Sequence, residues 1–257
     1  LGREFDEFIN GGFQNDLYGF VGRTGSYKTW IMQVIANSAI RNKKTPYIVG
    51  LESNVIREYY RALTLNTEIS NIQTQRAKID FEVYRNAEEK FRKTARDNGV
   101  KYYLEIMGRR EQYTLSDLRR SINKYKPDIV IIDYLTLMSS GAKVDDWQSY
   151  LEISKGLAII AASYGGGIPI IAVLQSGLSS SSKETLDVED IALSKGLSRD
   201  FSFIFGISRV NGKLNLVRIN DAKRRDGESE FSAWYRTNFD RGLIQFESYA
   251  NNDVEIF

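Results

Sequence analysis

Apolar, β-prone residues recur in short runs at 17–21, 47–51, 101–106, 128–133 and 168–174. Stretches with helical spacing lie between them, around 29–42, 55–64, 80–97, 114–126 and 148–164. Strands alternating with helices predict a mostly parallel sheet covered on both faces. After residue 200 the pattern changes to closely spaced strand candidates at 201–209, 213–220, 229–237 and 242–247. Turn residues such as those at 210–213 join them, which predicts an antiparallel meander. Polar loops at 139–146 and 176–183 each follow a strand C-terminus, the edge where open α/β sheets bind ligands.

The 257 residues suffice for one large α/β domain with a full core. A formal charge of +2 is too small to argue for an anionic partner. Lys and Arg outnumber Asp and Glu over 76–126, and a solvated helical surface explains that excess as well as a binding face does. The chain has no Cys and no His, which excludes disulfides, thiol chemistry, an imidazole base and His-containing metal sites. Catalysis is left to carboxylates, Lys, Arg, backbone groups and bound metal. The longest apolar runs are broken by charge, Gly or Pro, and the N-terminus lacks a signal-peptide pattern. The expectation is a soluble, cytoplasmic protein with no membrane partner. Leu1 in place of Met points to a processed chain or an excised fragment.

Residues 18–29 run from a strand through a glycine-bearing loop to Lys28 and Thr29 at the mouth of a helix. In a phosphate-binding loop, G-x-x-x-x-G-K-[ST], backbone N–H groups wrap the phosphates, the Lys reaches the β/γ-phosphates and the hydroxyl ligates Mg²⁺. Gly22, Arg23, Thr24, Gly25, Ser26, Tyr27, Lys28 and Thr29 are the candidate binding residues, with Tyr27 where the second Gly belongs. Asp133 ends a buried strand and is the candidate second holder of the Mg²⁺ shell, although a core strand followed by a turn Asp reads the same way in isolation. Glu52 closes another strand at the same predicted edge, where a carboxylate polarises attacking water; the competing role is a helix N-terminal acid. Gln175 ends a third buried strand with an amide that both donates and accepts, suited to sensing a γ-phosphate or simply to bonding loop backbone. Lys223, Arg224 and Arg225 follow the strand predicted at 214–220, beside the turn residues Asp226 and Gly227. Such a basic tip suits either stabilisation of charge on a transferring phosphoryl group, in its own or a neighbour's site, or plain solvation.

These residues, in this order, resemble the RecA-fold motor domain of DnaB-type replicative helicases over nearly the whole chain. The entry segment 5–17 resembles the stretch before the family's phosphate loop. Gly50-Leu-Glu-Ser-Asn54 resembles its Ser-Leu-Glu-Met-Ser motif, with Arg61 at the position of the closing Arg. Asp133-Tyr-Leu-Thr-Leu-Met138 is close to Asp-Tyr-Leu-Gln-Leu-Met, the most specific signal, and 168–176 resembles the strand carrying the sensor Gln. Ala222-Lys-Arg-Arg-Asp-Gly227 resembles Lys-x-Arg-x-Gly, which singles out Lys223 and Arg225 rather than Arg224.

The resemblance implies an α/β, RecA-like phosphate-loop NTPase, with a mostly parallel central sheet flanked by helices and an antiparallel C-terminal extension. It implies one motor domain over 1–257, the family's N-terminal primase-interacting domain being absent from the chain. It implies ATP and Mg²⁺ as cofactors and an ATP hydrolase that translocates on single-stranded DNA. In the implied site Lys28 binds phosphate, Thr29 and Asp133 organise Mg²⁺, Glu52 activates water, Gln175 senses the γ-phosphate, and Lys223 and Arg225 act on the neighbouring subunit's nucleotide. The implied assembly is a six-membered homo-oligomeric ring. It would meet replication forks, a primase and a helicase loader in a bacterial or phage-infected cell. Loops 139–147 and 176–190, with Lys143, Lys183 and Ser179 to Ser182, are the implied DNA contacts. Ala192 takes the place of an Arg in the family's loop motif. Tyr27 fits the loop only with an ordinary φ/ψ and a ring turned away from the phosphates. Two alternatives remain: a RecA-fold assembly subunit with weak or no hydrolysis, and a recombinase- or KaiC-type ATPase.

Overall fold

The computed structural model describes residues 1–52, 54–107, 112–140, 146–177, 185–191, 197–210, 213, 215–225 and 230–250. The first half alternates as α1 (Arg3–Phe8), β1 (Leu17–Gly22), α2 (Lys28–Arg41), β2 (Pro46–Gly50), α3 (Val55–Thr67), α4 (Asn71–Gln75), α5 (Phe81–Asp97) and β3 (Tyr103–Ile106). Then come β4 (Tyr113–Thr114), α6 (Leu115–Tyr125), β5 (Ile129–Asp133), β6 (Met138–Ser139), α7 (Asp146–Ser163) and β7 (Ile170–Gln175). The C-terminal strands are β8 (Phe203–Arg209), β9 (Leu216–Arg224), β10 (Ser232–Asn238) and β11 (Leu243–Tyr249).

Among the described residues, nine strands form one sheet in the order β11-β10-β9-β8-β1-β7-β5-β2-β3. β1 runs parallel to both β7 and β8, and β7, β5, β2 and β3 continue in parallel. From β8 through β11 the pairing is antiparallel. The meander expected after residue 200 therefore needs one correction: its first strand is the last parallel strand of the main sheet, paired to β1. A second sheet joins the short strands β4 and β6.

The central strands are buried on both faces, as a sheet packed between helices requires. Alternation then sorts their side chains. Leu17, Val21, Val130, Ile132, Ala172 and Leu174 face one core, with Leu118, Ile153 and Leu157 of α6 and α7. Tyr18, Phe20, Ile131, Ile171 and Val173 face the other, with Phe5 of α1 and Ile31, Met32 and Ile35 of α2. Phe5 lies 4.8 Å from the Phe205 ring and 5.7 Å from Phe231, which docks α1 against the antiparallel extension. Burying such a ring is worth about 1.5–3 kcal/mol. α3 and α5 cover a third, smaller cluster around Leu63 and Phe91.

Turn chemistry fixes the helix ends. Asn54 accepts from Ile56 N–H to start α3, Asp80 caps α5, and Thr114 with Asp117 forms a capping box on α6. The β10–β11 turn is tied to α4 instead of to solvent. Asp240 accepts from the Ser70 hydroxyl at 2.8 Å and from Ile72 N–H at 2.7 Å. Gly242 stands at φ 64 so close to α3 that a Cβ would lie 2.8 Å from Leu65 Cα. Among the described residues, no helix is long and apolar enough to cross a membrane.

Candidate nucleotide site

The phosphate-loop candidates leave β1 at Gly22 and enter α2 at Lys28. Gly22 is the residue the geometry demands, since a Cβ there would collide with Ser26 Oγ and sit 2.9 Å from the Ile207 carbonyl. Ser26 N–H closes back on the Arg23 carbonyl at 3.1 Å, and Gly25 takes φ 80. The first helical hydrogen bond runs from Ile31 N–H to the Tyr27 carbonyl. The N–H groups of residues 28–30 are thus helix-terminal donors, backed by the positive end of the α2 dipole. This is anion-binding chemistry.

Tyr27 corrects the expectation of an ordinary backbone. It adopts φ 68, ψ 18, the left-handed conformation a glycine would take, at a cost of about 1–2 kcal/mol for an L residue. Its ring lies 4.6 Å from the Phe239 ring, with the Arg209 guanidinium 5.1 Å above it.

Lys28 Nζ donates to the Gly22 carbonyl at 2.6 Å and the Arg23 carbonyl at 2.8 Å, folding the ammonium against the loop. Burial pulls it down to about 8, while Asp133 and Glu52 work in the opposite direction. Asp133, at the end of β5, is buried, and burial pushes its carboxyl up to about 6 despite a hydrogen bond from the Thr29 side chain. The peptide following it is cis. Glu52 lies exposed two residues beyond β2, where Leu51 N–H bonds the Asp133 carbonyl at 2.7 Å. The N-cap of α3 is Asn54, and the acid in its first turn is Glu58, not Glu52. Gln175 is the β7 partner of Gly22 in register, and its amide reaches toward the Thr24 hydroxyl at 3.5 Å. Lys28, Thr29, Asp133, Glu52 and Gln175 therefore share the C-terminal edge of the parallel strands.

The basic residues lie elsewhere. β9 extends through Arg224, so Lys223 and Arg224 belong to a strand and not to a hairpin tip beyond residue 220. Because β8 starts beside Tyr18 and β9 runs back antiparallel to it, Lys223 and Arg225 arrive at the opposite edge from Gly22. Arg225 N–H bonds the Ser202 carbonyl, whose own N–H bonds Leu17 O. Five residues of β1 at about 3.3 Å each put the two edges on the order of 17 Å apart. Lys223 Nζ donates to the Ser198 carbonyl and, at 2.8 Å, to that of Phe201. The Arg225 guanidinium reaches the carbonyls of Arg199 and Asp200 at 3.4 Å. Arg224 points to the other face, over the Phe8 ring at 4.9 Å.

Glu58 was not singled out from sequence, whereas Ser26 stands among the loop candidates. Ser26 is buried, and its hydroxyl has no partner, an orphaned donor inside the loop. Glu58 of α3 is buried against Gln33 of α2 at 2.9 Å and against Arg61. Its charge pushes Asp133 up, and that of Arg61 pulls Asp133 down. A lone Glu between apolar positions of α3 was the available signal. The loops expected at 139–147 and 176–190 are described only at their ends, and Lys143, Lys183, Ser179 to Ser182, Ala192, Asp226 and Gly227 lie outside the described residues. No group of three or more carboxylates forms a metal cage among the described residues.

The sheet order and the loop define a RecA-like phosphate-loop fold. Residues 2–229 match the family model described as the DnaB-like helicase C terminal domain, and the chain belongs to that family. Among solved structures it is similar to one described as an ATPase domain, with 18% identity, TM-score 0.79, and coverage of 94% of this chain and 88% of that one. It is also similar to a DnaB-like replicative helicase described with its interactions with primase, at 18% identity and TM-score 0.80. That match covers 94% of this chain but 59% of the other. No curated protein matches the chain in sequence.

Proposed function

We propose that the chain is the ATP-hydrolysing motor of a replicative DNA helicase that works as a ring, with Lys223 and Arg225 of one subunit completing the neighbour's site. The observation that carries this reading is the split between the two sheet edges. One edge gathers Lys28, Thr29, Asp133, Glu52 and Gln175, and the other carries Lys223 and Arg225. Groups on opposite edges cannot meet within one chain, whereas a head-to-tail contact between copies joins them, and a closing rotation makes a ring.

In this reading the loop N–H groups, Ser26 and Lys28 bind the ATP phosphates. The Thr29 hydroxyl beside the Asp133 carboxylate suits Mg²⁺, a hard cation that takes one or two protein oxygens and completes its shell from phosphates and water. When bound, Mg²⁺ neutralises charge on the β- and γ-phosphates. Glu52 orients and polarises the water that attacks the γ-phosphorus, releasing ADP and phosphate. Gln175, aligned in register with the loop's first residue, passes the nucleotide state to the segment after Ser176. Single-stranded DNA would follow the loops at 139–147 and 176–190 through backbone contacts, without base readout. Replication forks, a primase and a helicase loader in the cytoplasm are the proposed partners and setting.

The test is turnover in mixtures. Lys28→Ala is expected to abolish ATP hydrolysis. Arg225→Ala and Glu52→Ala, each inactive, are expected to regain activity when mixed, because some interfaces then join an intact Glu52 to an intact Arg225. Full turnover by Lys28→Ala would sink the ATP-site reading, and no recovery at any mixing ratio would sink the shared site. Nucleotide binding without turnover by the unsubstituted protein would favour an assembly subunit.

A further inference from the structure

The loop ends on a residue that resists its own conformation. A bulky side chain at left-handed φ is a backbone outlier, and such outliers persist only where their surroundings hold them. Tyr27 and Trp30 lie three residues apart at the start of α2, so their side chains emerge on the same side. Phe239 contacts both, 4.6 Å from the Tyr27 ring and stacked on Trp30 at 5.0 Å and 22°. The two ends of this stack are guanidinium groups, Arg209 over Tyr27 at 5.1 Å and Arg61 over Trp30 at 5.8 Å. Phe239 comes from the turn between β10 and β11, far along the chain and outside the loop's own helix and strand. That turn is pinned by Asp240 to α4, by Gly242 to the backbone of α3 and by Arg241 to the Glu68 carbonyl at 3.3 Å.

We infer that Phe239 is a positioning residue for the phosphate loop: it clamps the Tyr27 ring and so holds residue 27 in the left-handed conformation that a glycine would adopt unaided. Tyr27 and Phe239 act as a compensated pair standing in for one glycine. The pair places the N–H groups of Lys28 and Thr29 toward the anion, and the clamp is anchored in the C-terminal extension. The inference rests on the reading of this loop as an ATP site.

A purely structural Phe239 and a positioning Phe239 differ in one respect. The first weakens nucleotide binding equally whatever stands at residue 27, and the second matters only while that residue is not glycine. Binding of a fluorescent ATP analogue with Mg²⁺, with melting temperatures alongside, is measured for the unsubstituted protein, Phe239→Ala, Tyr27→Gly and the double variant. Releasing a left-handed tyrosine is expected to weaken binding about tenfold in Phe239→Ala. In the Tyr27→Gly background the same change is expected to alter affinity less than about twofold, the coupling a double-mutant cycle isolates. Phe239→Leu keeps the apolar bulk of the turn and is expected to show the same dependence on residue 27, so the comparison survives a poorly folded alanine variant. Equal losses in both backgrounds, or no loss in Phe239→Ala and Phe239→Leu, would overturn the inference while leaving the ATP site standing. Failure of the unsubstituted protein to bind the analogue would overturn the ATP-site reading and the inference with it.

Discussion

Replacing Arg61 by Met removes the charged partner of a buried carboxylate. The Glu58 side chain is 3% exposed and that of Arg61 is 21% exposed. One carboxylate oxygen accepts from Gln33 Nε2 at 2.9 Å, and the other accepts from Arg61. Gln33 cannot turn to compensate, because its own oxygen accepts from the Tyr102 hydroxyl at 2.9 Å. Arg61→Met therefore leaves a buried charge with one neutral donor. Breaking a buried pair from one side costs about 3–5 kcal/mol, and the partial exposure of Arg61 places this case near 3. Loss of the guanidinium over Trp30 adds about 0.5–1 kcal/mol, while Met preserves the apolar stem. At about 2–4 °C per kcal/mol for a chain of this size, the melting temperature should fall by about 7–16 °C. Adding Glu58→Gln should return most of the loss, since no charge then remains buried without its partner. Thermal and urea unfolding at neutral pH, repeated in high salt, measure both effects, and salt should change them little because the pair is shielded from solvent. A loss below about 1 kcal/mol in Arg61→Met, or a double variant less stable than the single one, would refute this reasoning.

Two further substitutions probe local contacts. Gly22→Ala drives a methyl group into Ser26 Oγ and to 2.9 Å from the Ile207 carbonyl. It should cost about 1–3 kcal/mol in urea unfolding and abolish binding of the ATP analogue; unchanged binding would mean the loop accommodates a side chain there. Asp240→Ala removes the acceptor for Ser70 and Ile72 N–H and should lower stability by about 1 kcal/mol. An unchanged urea midpoint would show that the β10–β11 turn does not depend on this cap.

The interior strands were legible in the sequence because β1, β5 and β7 are buried on both faces and carry no regular polar alternation. α2 and α5 were legible to within a residue or so at each end for the complementary reason, a helical spacing bounded by turn residues. The path of β9 was not. Asp221, Lys223 and Arg224 look like a polar turn, yet they remain in the strand because they pair in register with Phe205, Ile204 and Phe203 of β8. Among site residues, Lys28, Thr29, Glu52, Asp133 and Gln175 came from local pattern, each at the end of a strand or the start of a helix. Glu58 and Phe239 did not, because their significance depends on contacts between segments distant in sequence. The conformation of Tyr27 also escaped local reading: a glycine-like backbone under an aromatic side chain is explained by Phe239, which belongs to the opposite end of the chain.

The separation of the basic pair from the phosphate loop has a stoichiometric consequence under the proposed assembly. Each copy offers one half-site at either edge of its sheet, so an open file of subunits always ends in two unmatched halves. Every joint yields one complete site, and only closure makes joints equal in number to subunits. Turnover per subunit should then rise with file length toward the value of the closed ring, and dilution should extinguish it before any chain unfolds.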